Sequence, residues 1–245
     1  MPIFLKKRRV RLKKMPFCTA VVAAAGSSQR MDGSDKLFTE ICGAPVLAHT
    51  LGIIQKCGYI NEIVIVTRED KLERVGQICE AFGISKASTI IIGGPTRLLS
   101  VLNGLYAAAE KAELIAIHDG ARPCVDIDVI NRTIESAASS HAAAPAAPVS
   151  STIKRARNNI IEETIDRENL FEIQTPQVFS ADLIKAALTN AKNKSIDVTD
   201  DCYAVELLGF PVHITEGSRS NIKITTKDDL IVAEAIMQEK WGIGI

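Results

Sequence analysis

The stretch VVAAAGSSQRMDGSDK, Val21 to Lys36, runs from a small apolar segment through Gly26 to two cations, Arg30 and Lys36. A strand that ends in bare backbone followed by positive charge has the form of a phosphate-handling loop. The two common versions of that loop both fail here. A Walker loop requires G-x-x-x-x-G-K-[ST], but the next glycine after Gly26 is Gly33, followed by Ser34. A dinucleotide fingerprint requires G-x-G-x-x-G, and the residues around Gly26 are alanine and serine.

Outward from this loop, short β-branched runs alternate with amphipathic segments. TAVVAAA, EIVIVT, STIII and LIAIHD are apolar at successive positions, as strands buried on both faces are. Between them lie PVLAHTLGIIQKC, DKLERVGQICEAFG and LLSVLNGLYAAAEKA; in the last, Leu98, Val101, Leu102 and Leu105 form one helical stripe. Strand–helix alternation predicts an α/β fold with a mainly parallel sheet flanked by helices. After AAAPAAPV (142–149) the pattern changes. SSTIKRARNNIIEETIDRENLFEIQTPQVF alternates polar and β-branched residues around Asn158-Asn159, which predicts a hairpin too polar for a core and hence a protruding β-arm at about 150–172. Regular periodicity resumes with SADLIKAALTNA, TDDCYAVELLGF, PVHITEG, a strand-like NIKIT and a last helix, which Thr226 is placed to cap with Asp228 and Asp229 in its first turn. The expected organisation is a basic extension over 1–16, read as disordered, and one domain over 17–245.

Composition narrows the function classes. The chain is neutral overall, but the seven basic residues of KKRRVRLKK (6–14) leave 22 basic against 29 acidic residues elsewhere. An acidic body is a poor surface for nucleic acid, so no nucleic-acid partner is expected. The extension itself reads as a solvated tail or as chain upstream of a second start at Met15. No secretory apolar region follows it and no stretch is long enough to span a bilayer, so no membrane partner and a cytoplasmic location are expected. Six cysteines without a C-x-x-C pair argue for reduced thiols and against structural zinc.

In an open α/β sheet, ligands bind beyond the carboxyl ends of the strands. Sorted by that rule, the first strand ends at Ala24, Ala25 and Gly26, with Arg30 and Lys36 beyond. The third ends at Gly93, Gly94, Arg97 and Ser100, and the fourth ends in HDGARP with Asp119 and Arg122. SRSNIKITT adds Lys223 and Thr225; the arm adds Thr152, Lys154, Arg155 and Arg167. Each residue alone has a plainer explanation. Arg30 and Lys36 can be surface cations, Asp119-Gly120 a turn, Lys223 an edge-strand lysine, and Ser100 a small packing residue. Their joint placement at strand ends is what points to a site. His118 and His49 are poorly placed for acid–base work, and no nucleophile–base pair stands out. Several cations with one carboxylate suit nucleotidyl transfer, which needs positioned reactants and compensating charge more than covalent help. Magnesium there takes one or two carboxylates plus substrate phosphates, a role open to Asp119.

Seven motifs carry a resemblance: AAAGSSQRM…DK, GGPTRLLSVLNGL, IHDGARPCV, APVSSTIKR, DRENLFEIQTPQVF, DVTDD and EGSRSNIKITTKDDL. In this order they resemble the 2-C-methyl-D-erythritol 4-phosphate cytidylyltransferases over about 18–237, nearly the whole chain outside the basic tail. The resemblance implies a Rossmann-like nucleotidyltransferase fold and transfer of CMP from CTP to methylerythritol phosphate, with pyrophosphate released, in non-mevalonate isoprenoid synthesis. It implies that Ala24, Ala25, Gly26, Gly94 and Ser100 contact the cytidine nucleotide. Arg30, Lys36 and Lys223 would surround the triphosphate as the catalytic cations, and Asp119 would bind magnesium with Arg122 beside it. Thr152 and Arg167 would hold methylerythritol phosphate, with Thr199 and Thr225 among the substrate contacts. The arm would cross to a second subunit, making a homodimer. Leu37 stands where many members have glutamine, and Pro95 where a polar residue is usual. The sibling reading is a ribitol 5-phosphate cytidylyltransferase, and the distant one a nucleotide-binding regulator without catalysis.

Overall fold

The structure, a computed structural model, describes residues 15–26 and 35–242. Residues 1–14, the loop stretch 27–34 and residues 243–245 lie outside it, and with them Arg30 and most of the basic extension. Met15, assigned above to that extension, already packs against the core.

The quoted apolar run becomes β1 (Cys18–Ala24), and a small antiparallel pair, β2 (Glu40–Ile41) and β3 (Ala44–Pro45), leads into α1 (Val46–Lys56). Then follow β4 (Glu62–Thr67), α2 (Leu72–Ala81), β5 (Ala87–Ile92), α3 (Arg97–Ala107), β6 (Leu114–Asp119) and α4 (Ile127–Ser140). The four long strands are parallel, as predicted, and stand in the order β6-β1-β4-β5. Two corrections apply here. β5 is an edge strand with Ile92 45% exposed, so STIII is not buried on both faces. And α3 stops at Ala107, short of the quoted periodic stretch.

Beyond β6 the sheet becomes mixed. AAAPAAPV, to which the sequence pattern assigns no element, holds β7 (Ala142–Pro148), an almost wholly buried strand of small residues. The arm is β8 (Ile153–Arg157) and β9 (Ile160–Ile165), a two-stranded sheet of their own with both faces largely exposed. Asn158 and Asn159 sit at φ 49° and 63°, the left-handed pair that a tight hairpin turn demands. The chain then returns through β10 (Phe171–Ile173) and β11 (Gln177–Ser180), which inserts antiparallel between β6 and β7. The end of the supposed arm sequence is therefore core: Gln174, Thr175, Gln177, Val178 and Phe179 are buried. Pro145 survives inside β7 because its carbonyl faces Gln174 N at 2.8 Å, so its missing N–H faces the break between β10 and β11.

Helices α5 (Ala181–Asn193) and α6 (Asp201–Glu206), strand β12 (His213–Glu216) parallel to β7, and α7 (Lys227–Trp241) complete the chain. Thr226 caps α7 as expected, in a reciprocal capping box with Asp229. NIKIT is not a strand; residues 217–226 form a loop docked over the sheet end. Alternate residues of β1 feed two cores. Ala20, Val22 and Ala24 pack with α1, α4 and α7, and Val21 packs with α3, α5 and α6. Gly104 is required by this second layer, because a Cβ there would lie 2.4 Å from Val21 Cγ1. Among the described residues no helix is long and apolar enough to cross a membrane.

Candidate active site

The carboxyl ends of β1, β5 and β6 surround a cavity of about 360 Å³. It is lined by Ala25, Gly26, Lys36, Gly94, Arg97, Ser100, Asp119 and Lys223, so eight of the candidate residues meet there. Its floor depends on small residues for two separate reasons. A Cβ on Gly93 would stand 2.7 Å from Ala25 Cβ and 2.8 Å from Ser100 Oγ, so the fold itself forbids one. Among the described residues a Cβ on Gly26 would meet nothing within 4 Å, so bare backbone there leaves room rather than relieving a clash. Ser100 Oγ accepts from Gly94 N at 3.0 Å and lies 2.9 Å from Thr96 O, fixing the turn that enters α3.

Asp119 is the electrostatic centre. Its Oδ2 receives Lys223 Nζ at 2.9 Å and Arg122 Nε at 3.3 Å. Burial pushes its pKa up, but Lys223, then Arg122 and Arg97, outweigh burial and hold it well below the carboxylate range. The docked loop makes this possible. Ile224 N bonds Ala121 O at 2.9 Å, Arg122 Nη1 bonds Asn221 O at 2.7 Å, and Asn221 Nδ2 bonds Thr175 O at 2.9 Å. Thr175 Oγ1 in turn lies 3.1 Å from Asp119 N and 3.0 Å from His118 Nδ1. Burial pulls the His118 imidazole down to about 4, which leaves it a neutral packing residue, as its sequence context implied.

A second cavity of about 420 Å³ adjoins the first and shares Lys223 with it. Arg122, Ser150, Glu172, Gln174 and Arg219 line it, a polar wall with three cations once Lys223 is counted. Other predicted residues are placed elsewhere. Ala24 is buried in the core, while its neighbours Ala23 and Ala25 line the first cavity. Thr152 and Arg167 sit at the exposed base of the arm, where Arg167 Nη1 bonds the Ser150 carbonyl, and neither lines either of these two cavities. Thr199 is exposed before α6. Thr225 spends its hydroxyl on Asp229 Oδ2 at 2.8 Å, in the α7 cap rather than in either cavity.

The profile of the family described as 2-C-methyl-D-erythritol 4-phosphate cytidylyltransferase matches residues 18–239. The chain belongs to that family. A cytidylyltransferase of this name from Halalkalibacterium halodurans is 43% identical over 223 residues, covering 91% of this chain and 97% of its own. One from Dehalococcoides mccartyi is 41% identical, covering 90% and 96%. Among solved structures, the 4-diphosphocytidyl-2C-methyl-D-erythritol synthase of Anaerococcus prevotii superposes with a TM-score of 0.81 at 32% identity, covering 91% of this chain and 96% of that one. The cytidylyltransferase of Thermus thermophilus gives 0.74 at 30% identity, covering 89% and 98%.

Sequence reasoning missed the polar scaffolding of this cytidylyltransferase. Arg97 Nη2 pairs at 2.7 Å with Asp201 Oδ2, whose side chain is fully buried. Gln177 Oε1 accepts from Asp201 N and Cys202 N at 3.0 and 3.1 Å, and its Nε2 donates to Asp200 Oδ2 at 2.9 Å. Two glutamines and a threonine in QTPQVF, just before an apolar pair, were the available signal, since polar groups entering a core must find partners.

Proposed function

We propose that this chain is a cytoplasmic cytidylyltransferase that joins CTP and 2-C-methyl-D-erythritol 4-phosphate, with release of pyrophosphate. A phosphate oxygen of the polyol phosphate attacks the α-phosphorus of CTP, and the bond to the bridging oxygen of the β-phosphate breaks. The observation that carries this reading is the convergence of Lys36, Lys223 and Asp119 on the small-residue cavity, with a second cationic cavity opening at Lys223. Gly26, Gly94 and Ser100 form the nucleotide floor. Lys36 and Lys223 stand where charge gathers on the α-phosphorus and the departing pyrophosphate. Lys223 and Arg122 orient the attacking phosphate from the second cavity, whose Glu172, Gln174 and Ser150 offer partners to polyol hydroxyls.

The site fits magnesium in a limited way. Asp119 is kept ionised and lines the cavity, and among the described residues no cluster of three metal-ligating side chains exists. Asp119 would thus hold the ion together with nucleotide phosphates, and the ion would supply charge neutralisation along the triphosphate.

A homodimer completes the reading. The arm makes no use of its exposed Ile160 and Ile161, 70% and 63% accessible, within its own chain. Thr152 and Arg167 line neither of these two cavities in their own chain, so a second copy is what would carry them to the polyol phosphate.

The test is pyrophosphate release with magnesium, pairing CTP, UTP or ATP with methylerythritol 4-phosphate or ribitol 5-phosphate. Release confined to CTP and methylerythritol phosphate is expected. Release with ribitol 5-phosphate alone would move the second substrate, and CTP binding without release by any pair would overturn catalysis.

A further inference from the structure

Arg68, the residue after β4, touches both ends of the segment that separates Gly26 from Lys36. Its Nη1 donates to the Gly26 carbonyl at 3.0 Å, and its Nη2 pairs with Asp35 Oδ2 at 2.6 Å. Nε turns away to Asp70 Oδ1 at 3.2 Å. Asp35 passes the constraint on to the next turn. Its Oδ1 accepts from Leu37 N at 3.3 Å, and its carbonyl accepts from Phe38 N and Thr39 N at 2.9 and 3.1 Å. Lys36 lies inside that turn. The turn is fixed on its other side too, because buried Phe38 carries the Arg74 guanidinium 4.6 Å from its ring centroid and Leu47 N bonds Leu37 O at 3.0 Å.

We infer that Arg68 is a positioning residue for the transfer step, setting Lys36 against the Gly26 floor by bridging the two ends of the loop. The inference rests on the reading of Lys36 as a triphosphate cation. Arginine suits the task because its planar fork can serve a carbonyl and a carboxylate at once, whereas lysine offers a single point of charge. The bridge is partly sheltered, with side-chain exposures of 28% for Arg68 and 17% for Asp35, so solvent does not fully screen it. A bridge of this kind affects rate through geometry, since a displacement of about 1 Å in a reacting site costs up to roughly 10²-fold.

The experiment is a double-mutant cycle on the full chain, with R68A, K36A and R68A/K36A assayed for pyrophosphate release from CTP. R68A is expected to lower kcat roughly tenfold with the KM for the polyol phosphate changed less than about twofold. In the K36A background the same change should cost less than about twofold, because the group it positions is gone. D70N, which meets Arg68 only at the outward Nε and otherwise pairs with Lys71 Nζ at 2.9 Å, should leave kcat at the parental value. Thermal midpoints are measured for each protein; R68K, which keeps the charge but not the fork, provides a second, milder variant expected to lose kcat several-fold. Parental kcat in R68A or R68K, or an equal loss with and without Lys36, overturns the inference. Parental turnover in K36A overturns the reading of Lys36 itself, a result distinct from additivity.

Discussion

Lys223 Nζ lies 2.9 Å from Asp119 Oδ2, and Arg122 Nε reaches the same oxygen at 3.3 Å. Asp119 ends the central strand β6, while Lys223 belongs to an irregular loop that arrives from the far end of the chain. The pair places a buried negative charge beside a half-exposed positive one at the junction of the two cavities. D119N should lower turnover by roughly 10² or more and raise the magnesium needed for half-maximal pyrophosphate release. K223A should lower turnover comparably. A D119N enzyme with parental magnesium dependence would remove Asp119 from the metal role.

Gly26, which lines the first cavity, and Gly93, which packs beneath it, should respond differently. G26A adds a methyl group that meets no described residue within 4 Å, so its thermal midpoint should stay near the parent while the KM for CTP rises. G93A drives a methyl into Ala25 and Ser100, and should cost about 1–3 kcal/mol of stability. Denaturant titration and CTP kinetics on both proteins separate the cases, and equal behaviour would refute the distinction.

The Arg97–Asp201 pair ties the start of α3 to α6. D201N leaves a largely buried guanidinium without its counter-ion and should destabilise by roughly 3–5 kcal/mol, read from the urea midpoint. R97M combined with D201L should cost less than the sum of the single changes. Strict additivity would mean the two side chains do not act as a pair.

Replacing Ile153–Ile165 by a short glycine-rich linker removes the exposed hairpin and no core residue. The protein should keep its thermal midpoint, sediment as a monomer and lose transfer activity. A fully active monomer would sink the role given to the arm.

Glu62 clamps three elements at the opposite end of the sheet, accepting from Thr19 Oγ1 at 2.7 Å, Ser88 Oγ at 2.8 Å and Ala109 N at 3.0 Å. Burial pushes its pKa up, but these bonds outweigh burial and hold it below the ordinary 4.5. A lowered folded-state pKa means its stabilisation is complete above pH 4.5 and fades as pH falls below that value. E62Q should flatten the stability profile in that acid range and lower stability at neutral pH. An unchanged acid slope would show that another carboxylate carries it.

The legible features of the sequence were those in which one residue type answers to one local requirement. The parallel strands β1, β4 and β6 follow from continuous apolar runs, the arm turn from Asn158-Asn159, and the α7 cap from Thr226 with Asp229. β7 escaped because an alanine–proline strand has no β-branched signature and gains its stability from neighbours on both sides. NIKIT looked like a strand because its alternation serves a docked loop instead, with Asn221 and Ile224 inward and Lys223 outward. Thr225 looked like a substrate contact, whereas the α7 cap claims its hydroxyl.

By itself, then, the sequence determined the parallel half of the sheet, the polar arm and the set of small and cationic residues at strand ends, because periodicity and turn chemistry are local. Tertiary structure alone decided which of those residues share a cavity. It brought Lys223 to Asp119 and Arg97 to Asp201, put Arg68 across the loop ends, and left Ala24 and Thr225 out. Ion pairs and buried hydrogen bonds depend on distances of a few ångströms between segments far apart in the chain, and only the packed sheet and its docked loop set those distances.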